Sequence, residues 1–191
     1  PILRRVKVFD CSCCPPNLLR FVGSIADYMY SVSGNTIYAH CYMDAEGEIE
    51  TSAGKMKLKQ ETGYPYDGKI RILTETEATC EIALHLPSWS EQWKLNINGK
   101  EGEAVLRKGY LYVQREWKCG DCLELELDMG IRFWESNPRV IDTSGRIAVT
   151  RGPLVFCAEG IDNEDLLLRD VRIKPMQEGK ICFRQMEGTT L

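Results

Sequence analysis

The chain has 191 residues, of which 43% are hydrophobic and 27% are charged, and its net charge is −4. These are the values of an ordinary globular protein, and they exclude a disordered, collagenous or coiled-coil chain. The acidic balance argues against a nucleic-acid partner, which a basic patch would recognise, and no stretch approaches the roughly 18 apolar residues of a membrane span.

The cysteine content favours a reducing compartment. Nine cysteines are present, whereas a secreted disulfide framework usually shows an even number in a shorter chain. No signal peptide is recognised. We therefore expect a cytoplasmic protein in which most thiols serve as small core residues. Because the chain begins with Pro1 inside what reads as ordered sequence, we expect a fragment of a longer protein.

The first predicted element is a helix over residues 15–32. Pro15 or Pro16 suits its first turn, and Gly34-Asn35 suits its C-terminal stop. Its apolar seam needs a partner, which is either the following sheet or a helical domain outside this chain. The seam consists of residues spaced by four and three positions: Leu18, Val22, Ile25, Met29 and Val32.

The rest of the chain predicts antiparallel β-structure. Short alternating runs with turns about every ten residues, over roughly 36–160, are typical of a β-sandwich. Asn98-Gly99 is a predicted two-residue hairpin turn, and Lys118-Cys119-Gly120-Asp121 is another turn. The apolar residues of the alternating runs are Ile37, Ala39, Cys41, Met56, Leu58, Ile70, Ile72, Ile82, Leu84, Leu86, Leu95, Ile97, Leu111, Val113, Leu123, Leu125 and Leu127.

The pattern weakens toward the C-terminus. Two strands are predicted around Gly152-Pro153, at residues 147–149 and 154–157. Beyond Gly160 only two more strands are expected, near 171–173 and 181–183. The predicted fold class is therefore mainly β: an antiparallel β-sandwich preceded by one α-helix, with a C-terminal β segment that the pattern does not assign clearly.

One cysteine cluster stands above the background of the composition. Cys11, Cys13 and Cys14 come just before the predicted helix. The positive end of a helix dipole favours a thiolate, and a thiolate is both a zinc ligand and a nucleophile. The spacing is not the C-x2-C of a zinc ribbon, so the segment offers at best two or three of four ligands. Spacing alone leaves open both metal binding and inert, oxidation-prone thiols.

Other candidate residues have a more ordinary interpretation beside the functional one. Cys119 and Cys122 have the spacing of a second zinc half-site, but the Gly-Asp between them favours a hairpin turn. His40 and His85 lie in predicted strands, where a hydrogen-bonded sheet residue is commoner than a ligand. Four residues either line a platform for a sugar or, more commonly in a sandwich, pack in the core and at its rim: Trp89, Trp93, Trp117 and Trp134.

Several motifs occur together in a recognisable order. The most specific is Cys11-Ser12-Cys13-Cys14-Pro15-Pro16-Asn17, which precedes the helix and Thr36-Ile37-Tyr38. The others are Leu86-Pro87-Ser88-Trp89, Asn96-Ile97-Asn98-Gly99, Trp117-Lys118-Cys119-Gly120-Asp121 and Arg151-Gly152-Pro153-Leu154-Val155. Over about residues 10–160 this series resembles the C-terminal portion of glycoside hydrolase family 127, the β-L-arabinofuranosidase family.

The resemblance implies an architecture and a chemistry. Residues 1–34 would be the end of a helical (α/α) barrel, residues 35–136 a β-sandwich, and residues 137–191 strands that return to the sandwich or start a second β domain. The implied reaction is the retaining hydrolysis of terminal β-L-arabinofuranosides, with zinc held by a glutamate and three cysteines. By resemblance Cys13 is the nucleophile and a zinc ligand, Cys14 is a second ligand, and Cys11 is not a ligand.

The resemblance also implies that this chain is incomplete as an enzyme. The other zinc ligands, the acid/base glutamate and the sugar-binding histidines would lie upstream. We therefore expect the isolated chain to be inactive and to bind zinc weakly or not at all. The expected partners are a carbohydrate substrate and, through the β-sandwich, a second copy of the chain. The alternative is a non-catalytic β-sandwich for sugar binding or dimerisation.

Overall fold

The fold, seen in a computed structural model that describes residues 11–160, 163 and 167–173, consists mostly of β-strands. One α-helix, α1 (Cys14–Ser24), leads into a 3-10 helix, Ile25–Tyr28. The strands are β1 (Tyr30–Ser33), β2 (Thr36–Ala39), β3 (Ala45–Thr51), β4 (Gly54–Thr62), β5 (Lys69–Thr74), β6 (Ala78–His85), β7 (Trp93–Ile97), β8 (Lys100–Glu101), β9 (Val105–Arg107), β10 (Tyr110–Trp117), β11 (Cys122–Leu127), β12 (Ile131–Glu135), β13 (Ile147–Arg151) and β14 (Leu154–Phe156).

Two sheets build the larger of two compact units, which contains residues 11–130 and 152–154. The five-stranded sheet has the order β1-β2-β6-β10-β9, and the six-stranded sheet has the order β3-β4-β5-β11-β7-β8. Strands β2 and β6 run parallel, with Ile37 beside Ile82, whereas the other described pairs in these two sheets are antiparallel. The predicted fold class, an antiparallel β-sandwich preceded by one helix, is confirmed.

The core lies between these two sheets, where the alternation of apolar residues predicted it. Trp117 is fully buried, and its Nε1 donates a hydrogen bond to the Cys80 carbonyl at 3.0 Å. Cys41, Leu86 and Ile97 are only partly buried, because they lie at or beyond strand ends. The other predicted inward residues are buried: Ile37, Ala39, Met56, Leu58, Ile70, Ile72, Ile82, Leu84, Leu95, Leu111, Val113, Leu123, Leu125 and Leu127.

The predicted helix over 15–32 is too long at its C-terminal end. Its last residues form β1, which pairs with β2. Gly34 has a φ of +61° and, with Asn35, closes that hairpin instead of ending a helix. Pairing with β2 and burial of Met29 outweigh the helical spacing of the apolar residues, because tertiary contacts override weak local propensity.

The apolar seam of α1 faces solvent in this structure. Leu18 and Val22 are 63% and 57% exposed, and the neighbouring Leu19 and Phe21 are 72% and 51% exposed. No residue of α1 is buried. The following sheet therefore covers Met29 of the predicted seam but not Leu18 or Val22.

A second compact unit includes residues 131–151 and the described residues from 155 onward. The predicted strands at 147–149 and 154–157 are confirmed as β13 and β14, in a sheet of order β12-β13-β14. The strand predicted near 171–173 is wrong. The Val171 N–H closes the 3-10 turn Leu168–Asp170 by donating to the Leu168 carbonyl, and it is not used in a ladder. The strand predicted near 181–183 lies outside the described residues.

Both predicted turns of the larger unit are confirmed, and a side-chain network joins them. Asn98 and Gly99 have φ values of +54° and +72°, as a type I′ turn requires. Asn98 Nδ2 donates to Asp121 Oδ1 at 2.7 Å, and Asn98 Oδ1 accepts from the Cys122 N–H at 2.8 Å. The Lys118 N–H donates to Asp121 Oδ2 at 3.0 Å. Because Lys118–Asp121 connects β10 of one sheet to β11 of the other, the network holds this crossing in place.

This network lowers the pKa of Asp121. The hydrogen bond from the Lys118 backbone is the main cause, followed by the bond from Asn98 and the charge of Arg115, whose Nη2 lies 3.5 Å from Asp121 Oδ2. The carboxylate is buried, and its removal takes the acceptor away from both the Asn98 amide and the Lys118 N–H.

We predict that Asp121→Ala lowers the free energy of unfolding by about 1–3 kcal/mol, because it removes two hydrogen bonds to a charged acceptor. Glu124→Ala on the adjacent strand β11 is the matched control. Its carboxylate is exposed and pairs with Arg71 at 3.4 Å, so a loss of about 0–1 kcal/mol is expected. Urea denaturation monitored by tryptophan fluorescence measures both. Equal losses in the two variants would contradict a bracing role for Asp121.

The contribution of Asp121 to stability is expected to depend on pH with a definite sign. A carboxylate whose folded pKa lies below its unfolded value stabilises the protein above the unfolded pKa, about 3.9, and loses this effect as the pH falls through the folded pKa. The stability difference between the wild type and Asp121→Asn is therefore expected to be constant near neutral pH and to shrink below about pH 4. A difference that grows on acidification would contradict this.

Candidate functional site

The three thiols predicted as a site lie together at the start of α1. Cys11 Sγ lies 3.4 Å from Cys13 Sγ, and Cys13 Sγ lies 3.9 Å from Cys14 Sγ. All three side chains are exposed. The sequence neighbours therefore form one spatial cluster in which Cys13 occupies the central position.

The local backbone explains why the chain turns into a helix here. Cys13 is the N-cap and Cys14 the first helical residue, and the prolines that follow need no intrahelical donor in the first turn. The Cys13 side chain makes no capping hydrogen bond. Instead, Asn17 secures the turn, because its Nδ2 donates to the Cys13 carbonyl at 2.8 Å and its backbone N–H to the same oxygen at 3.4 Å. The Cys13 sulfur is thus not used to cap the helix, and its contacts are with the neighbouring thiols.

The thiols influence one another's ionisation. The pKa of Cys11 is lowered, chiefly by its hydrogen bond with the Cys13 backbone and then by its hydrogen bond with the Cys13 side chain. The pKa of Cys13 is raised, chiefly because its proton is shared with Cys11 and then with Cys14. Within the cluster, the two shifts favour ionisation of Cys11 over ionisation of Cys13.

The spacing of two sulfurs suits a zinc ion. Two sulfurs bound to one tetrahedral zinc at about 2.3 Å each lie about 3.8 Å apart, close to the 3.9 Å between Cys13 and Cys14. No three His, Cys, Asp or Glu side chains converge as a complete ligand set within residues 11–160, 163 and 167–173. The described chain thus fits two neighbouring positions of a zinc site.

The histidines belong to an aromatic cluster on the outer face of the five-stranded sheet. His40 Nδ1 lies 2.7 Å from the Tyr110 hydroxyl, and its Nε2 lies 2.7 Å from Ser31 Oγ. The His85 ring lies 5.3 Å from the Tyr110 ring, and burial lowers the pKa of His85, with a smaller contribution from His40. The interpretation of His40 as a hydrogen-bonded residue of the sheet region is confirmed.

The remaining candidates have the ordinary roles weighed for them. Cys119 is exposed in the Lys118–Asp121 turn, and Cys122 begins β11. Trp117 is buried, and Trp89 and Trp93 pack partly buried against the core, so these three tryptophans do not form one exposed platform.

Sequence reasoning missed an arginine and a carboxylate beside this aromatic cluster. The guanidinium of Arg107 lies 3.9 Å from the centre of the Tyr112 ring, and its Nη2 lies 3.2 Å from Glu81 Oε1. The available signal was the alternation of Tyr110 and Tyr112 opposite the inward Leu111 and Val113. That alternation indicates an aromatic outer face, but it does not indicate which strands flank it.

Comparison with known proteins matches most of the chain to one family. The sequence model described as the β-L-arabinofuranosidase, GH127 middle domain matches residues 36–129. The glycoside hydrolase family 127 C-terminal domain matches residues 131–185. The cysteine cluster and α1 come before both matched ranges.

Individual relatives agree with this match. The chain is 35% identical over 169 residues to a non-reducing end β-L-arabinofuranosidase of Bifidobacterium longum subsp. longum, a match that covers 83% of this chain. A crystal structure of a GH127 β-L-arabinofuranosidase from Geobacillus stearothermophilus superposes with a TM-score of 0.76 at 34% identity over 84% of the chain. A second GH127 β-arabinofuranosidase structure gives a TM-score of 0.75 at 35% identity over 81% of the chain.

These relatives are much longer than the matched segment. The chain spans 25% of the Bifidobacterium protein, and 26% and 27% of the two solved chains.

Within the described residues, no helix has the length and apolar character needed to cross a membrane.

Proposed function

Because the chain belongs to glycoside hydrolase family 127, we propose that it is the C-terminal part of a retaining hydrolase that removes terminal β-L-arabinofuranosyl units, with Cys13 as the nucleophile. The family match and the β-L-arabinofuranosidases among its relatives support the substrate class. The relatives' greater length supports a longer parent enzyme, and the match of residues 131–185 to the family's C-terminal domain supports a domain that precedes this chain.

The observation that carries the role of Cys13 is the thiol cluster itself. The Cys13 side chain is exposed and makes no capping hydrogen bond to the helix. Two other sulfurs lie within 3.9 Å of its Sγ. An accessible sulfur is able to reach an anomeric carbon. In this proposal Cys13 and Cys14 hold a zinc ion, Cys11 does not, and a glutamate and a cysteine from the preceding domain complete the ligand set.

The proposed reaction has two displacements. The Cys13 thiolate attacks the anomeric carbon and forms a C–S bond, while the C–O bond to the leaving group breaks and a glutamic acid of the preceding domain protonates the departing oxygen. Water, deprotonated by the same glutamate, then attacks the anomeric carbon and releases the Cys13 sulfur. Two inversions at one carbon give net retention, as in retaining glycosidases with a carboxylate nucleophile.

Cys13 is able to attack the anomeric carbon only in its deprotonated, thiolate form. Hydrogen bonding within the cluster raises the pKa of Cys13, so its thiol needs an additional stabilising charge to ionise near neutral pH. A bound zinc ion supplies that charge, because a coordinating thiol is deprotonated by the metal. Asn17 keeps the Cys13 backbone in place from the first turn of α1.

The preceding domain also accounts for the exposed seam of α1. We assign residues 1–34, apart from strand β1 of the sandwich, to the end of a helical barrel, and residues 35–136, apart from strand β12 of the second unit, to the β-sandwich. Residues 137–191 are assigned to strands that rejoin the sandwich or begin a second β domain. Leu18 and Val22 would then be covered by barrel helices. A reducing cytoplasm suits the free thiols of the described residues, and a homodimer would form through the sandwich.

The first activity test uses the 191-residue chain beside its full-length parent, with an aryl β-L-arabinofuranoside as substrate. The parent is expected to hydrolyse it. The 191-residue chain is expected to be inactive, because it carries the nucleophile without an acid to protonate the leaving group. Turnover by the short chain above the background of a free thiol would contradict the missing-acid proposal.

In the parent, Cys13→Ala is expected to reduce kcat by at least about a thousandfold, as loss of a nucleophile does. Cys119→Ala is the matched control, since this thiol is exposed in a turn. It is expected to retain wild-type kcat. Full activity of Cys13→Ala would refute the assignment of the nucleophile.

Zinc binding is also expected to differ between the 191-residue chain and its full-length parent. The 191-residue chain supplies two proposed thiolate ligands, whereas zinc takes four. We expect metal analysis to find substoichiometric zinc in this chain that mild chelation removes, and tightly held zinc in the parent. Stoichiometric zinc in the short chain that survives chelation, and is lost in both Cys13→Ala and Cys14→Ala, would show that the ligand set is complete without the preceding domain.

A further inference from the structure

A groove, here called the edge groove, lies where the edge of the five-stranded sheet meets the edge of the six-stranded sheet. It has a volume of about 1120 Å³ and is lined from β6, β7, β9, β10 and the Glu101–Ala104 segment. Known small-molecule sites occupy roughly 300–1,000 Å³, so the edge groove has room for a short oligomeric ligand. None of the cysteines proposed for catalysis lines it.

The floor of the edge groove is part of the folded sandwich. The Gly102 N–H donates to the Leu95 carbonyl at 2.9 Å, and Ala104 packs against the core. A Cβ on Gly102 would lie 2.8 Å from Ile97 Cγ1, so only glycine lets the segment approach β7 this closely. The groove is therefore present before any ligand arrives.

One wall carries an ordered set of three side chains. The Arg107 guanidinium stacks on the Tyr112 ring and pairs with Glu81 Oε1. The other Glu81 oxygen, Oε2, accepts a hydrogen bond from Thr36 Oγ1 at 2.9 Å. A carboxylate, a guanidinium and an aromatic ring are thus held next to one another. Because these contacts already order the three side chains, they lose little conformational entropy when a ligand binds, and the entropic cost of association is reduced.

The lining matches a ligand with many hydroxyl groups. Asn96 and Gln114 add amides, which both donate and accept hydrogen bonds. Neighbouring hydroxyls of a sugar also donate and accept, so they pair with amides, carboxylates and a guanidinium together. The C–H face of a sugar ring is apolar and packs against aromatic rings such as those of Tyr112 and Trp93, which both line the groove.

The charge of the lining selects against anionic ligands. Three carboxylates, of Glu81, Glu101 and Glu103, line the groove with only two cationic groups, Lys94 and Arg107. Arg107 is already paired with Glu81. A phosphate or a uronic acid would meet net repulsion, whereas a neutral saccharide would not.

Residues 44–46 and 59–61 of the six-stranded sheet region line a smaller depression of about 670 Å³, which contains no aromatic side chain. On the outer face of this sheet, Lys55 pairs with Glu48 and Arg71 with Glu61 and Glu124 across strands, whereas Lys59 pairs with Glu61 along β4. Exposed ion pairs of this kind are common on the solvated surfaces of proteins. They also supply control positions for variants in the edge groove.

We propose that the edge groove is an accessory binding site for a neutral oligosaccharide of arabinofuranosyl units, separate from the cysteine cluster. The choice of sugar rests on the function proposed above, whereas the preference for a neutral polyhydroxylated ligand rests on the groove. Such a site would hold the remaining glycan while terminal units are removed elsewhere.

The test is a titration of the isotopically labelled 191-residue chain with a trisaccharide of L-arabinofuranose, followed by NMR. Shifts are expected for amides of β7, β9 and β10, with a Kd on the order of 1 mM or tighter. An acidic trisaccharide of galacturonic acid, at the same concentrations, is expected to leave them unchanged. No binding of the neutral trisaccharide, shifts confined to other regions, or equal binding of the acidic one would each overturn the proposal.

Two single variants test whether the trisaccharide binds in the edge groove. Arg107→Ala and Gln114→Ala, both at exposed positions, are each expected to raise Kd by roughly tenfold, because each removes hydrogen bonds to the ligand. Arg71→Ala is the matched control, since it also removes an ion-paired arginine from a strand. It is expected to bind as the wild type does. Unchanged binding by both groove variants would overturn the site.

The parent's hydrolysis of an aryl β-L-arabinofuranoside is measured separately. This substrate has one sugar unit and does not depend on an accessory site. Hydrolysis by the parent with no binding in the edge groove refutes this inference and leaves the proposed function standing. Neutral trisaccharide binding at β7, β9 and β10 in a parent that lacks hydrolysis refutes the proposed function and supports the groove.

Discussion

The structure depends on one constraint, which is that the apolar faces of two sheets must be buried against each other. Ile37 and Ile82 from the five-stranded sheet, and Ile72 and Leu123 from the six-stranded sheet, are essentially inaccessible to water. Since side chains alternate along a strand, burying one set sends the other set outward. The same constraint therefore builds the core and presents Tyr112, Glu81 and their neighbours on the outside.

The cysteine cluster stands apart from that core. No residue of α1 is buried, and the three thiols are exposed. A nucleophile must be held within a fraction of an ångström of its productive position, and packed neighbours normally supply that support. The proposed chemistry therefore requires a second body of protein around α1, which agrees with relatives about four times as long as the matched segment.

The edge groove and the cysteine cluster differ in the way they are supported. The groove is lined by strands and by a segment fixed to Leu95 and the core. The cluster is held by backbone turns and by Asn17. This contrast agrees with the two proposals, in which the sandwich binds a glycan by itself and the cysteines act only when the proposed preceding domain surrounds them.

The sequence by itself determined the sandwich, its inward residues and its turns, because a period of two and signals such as Asn98-Gly99 are local properties of the chain. It also placed Cys11, Cys13 and Cys14 next to one another, since neighbours in sequence must be neighbours in space. Tertiary structure alone decided that residues 30–33 form a strand, because pairing with β2 outweighs helical spacing. It alone brought Arg107 onto Tyr112 and beside Glu81, because cross-strand neighbours depend on a strand order that no local pattern encodes.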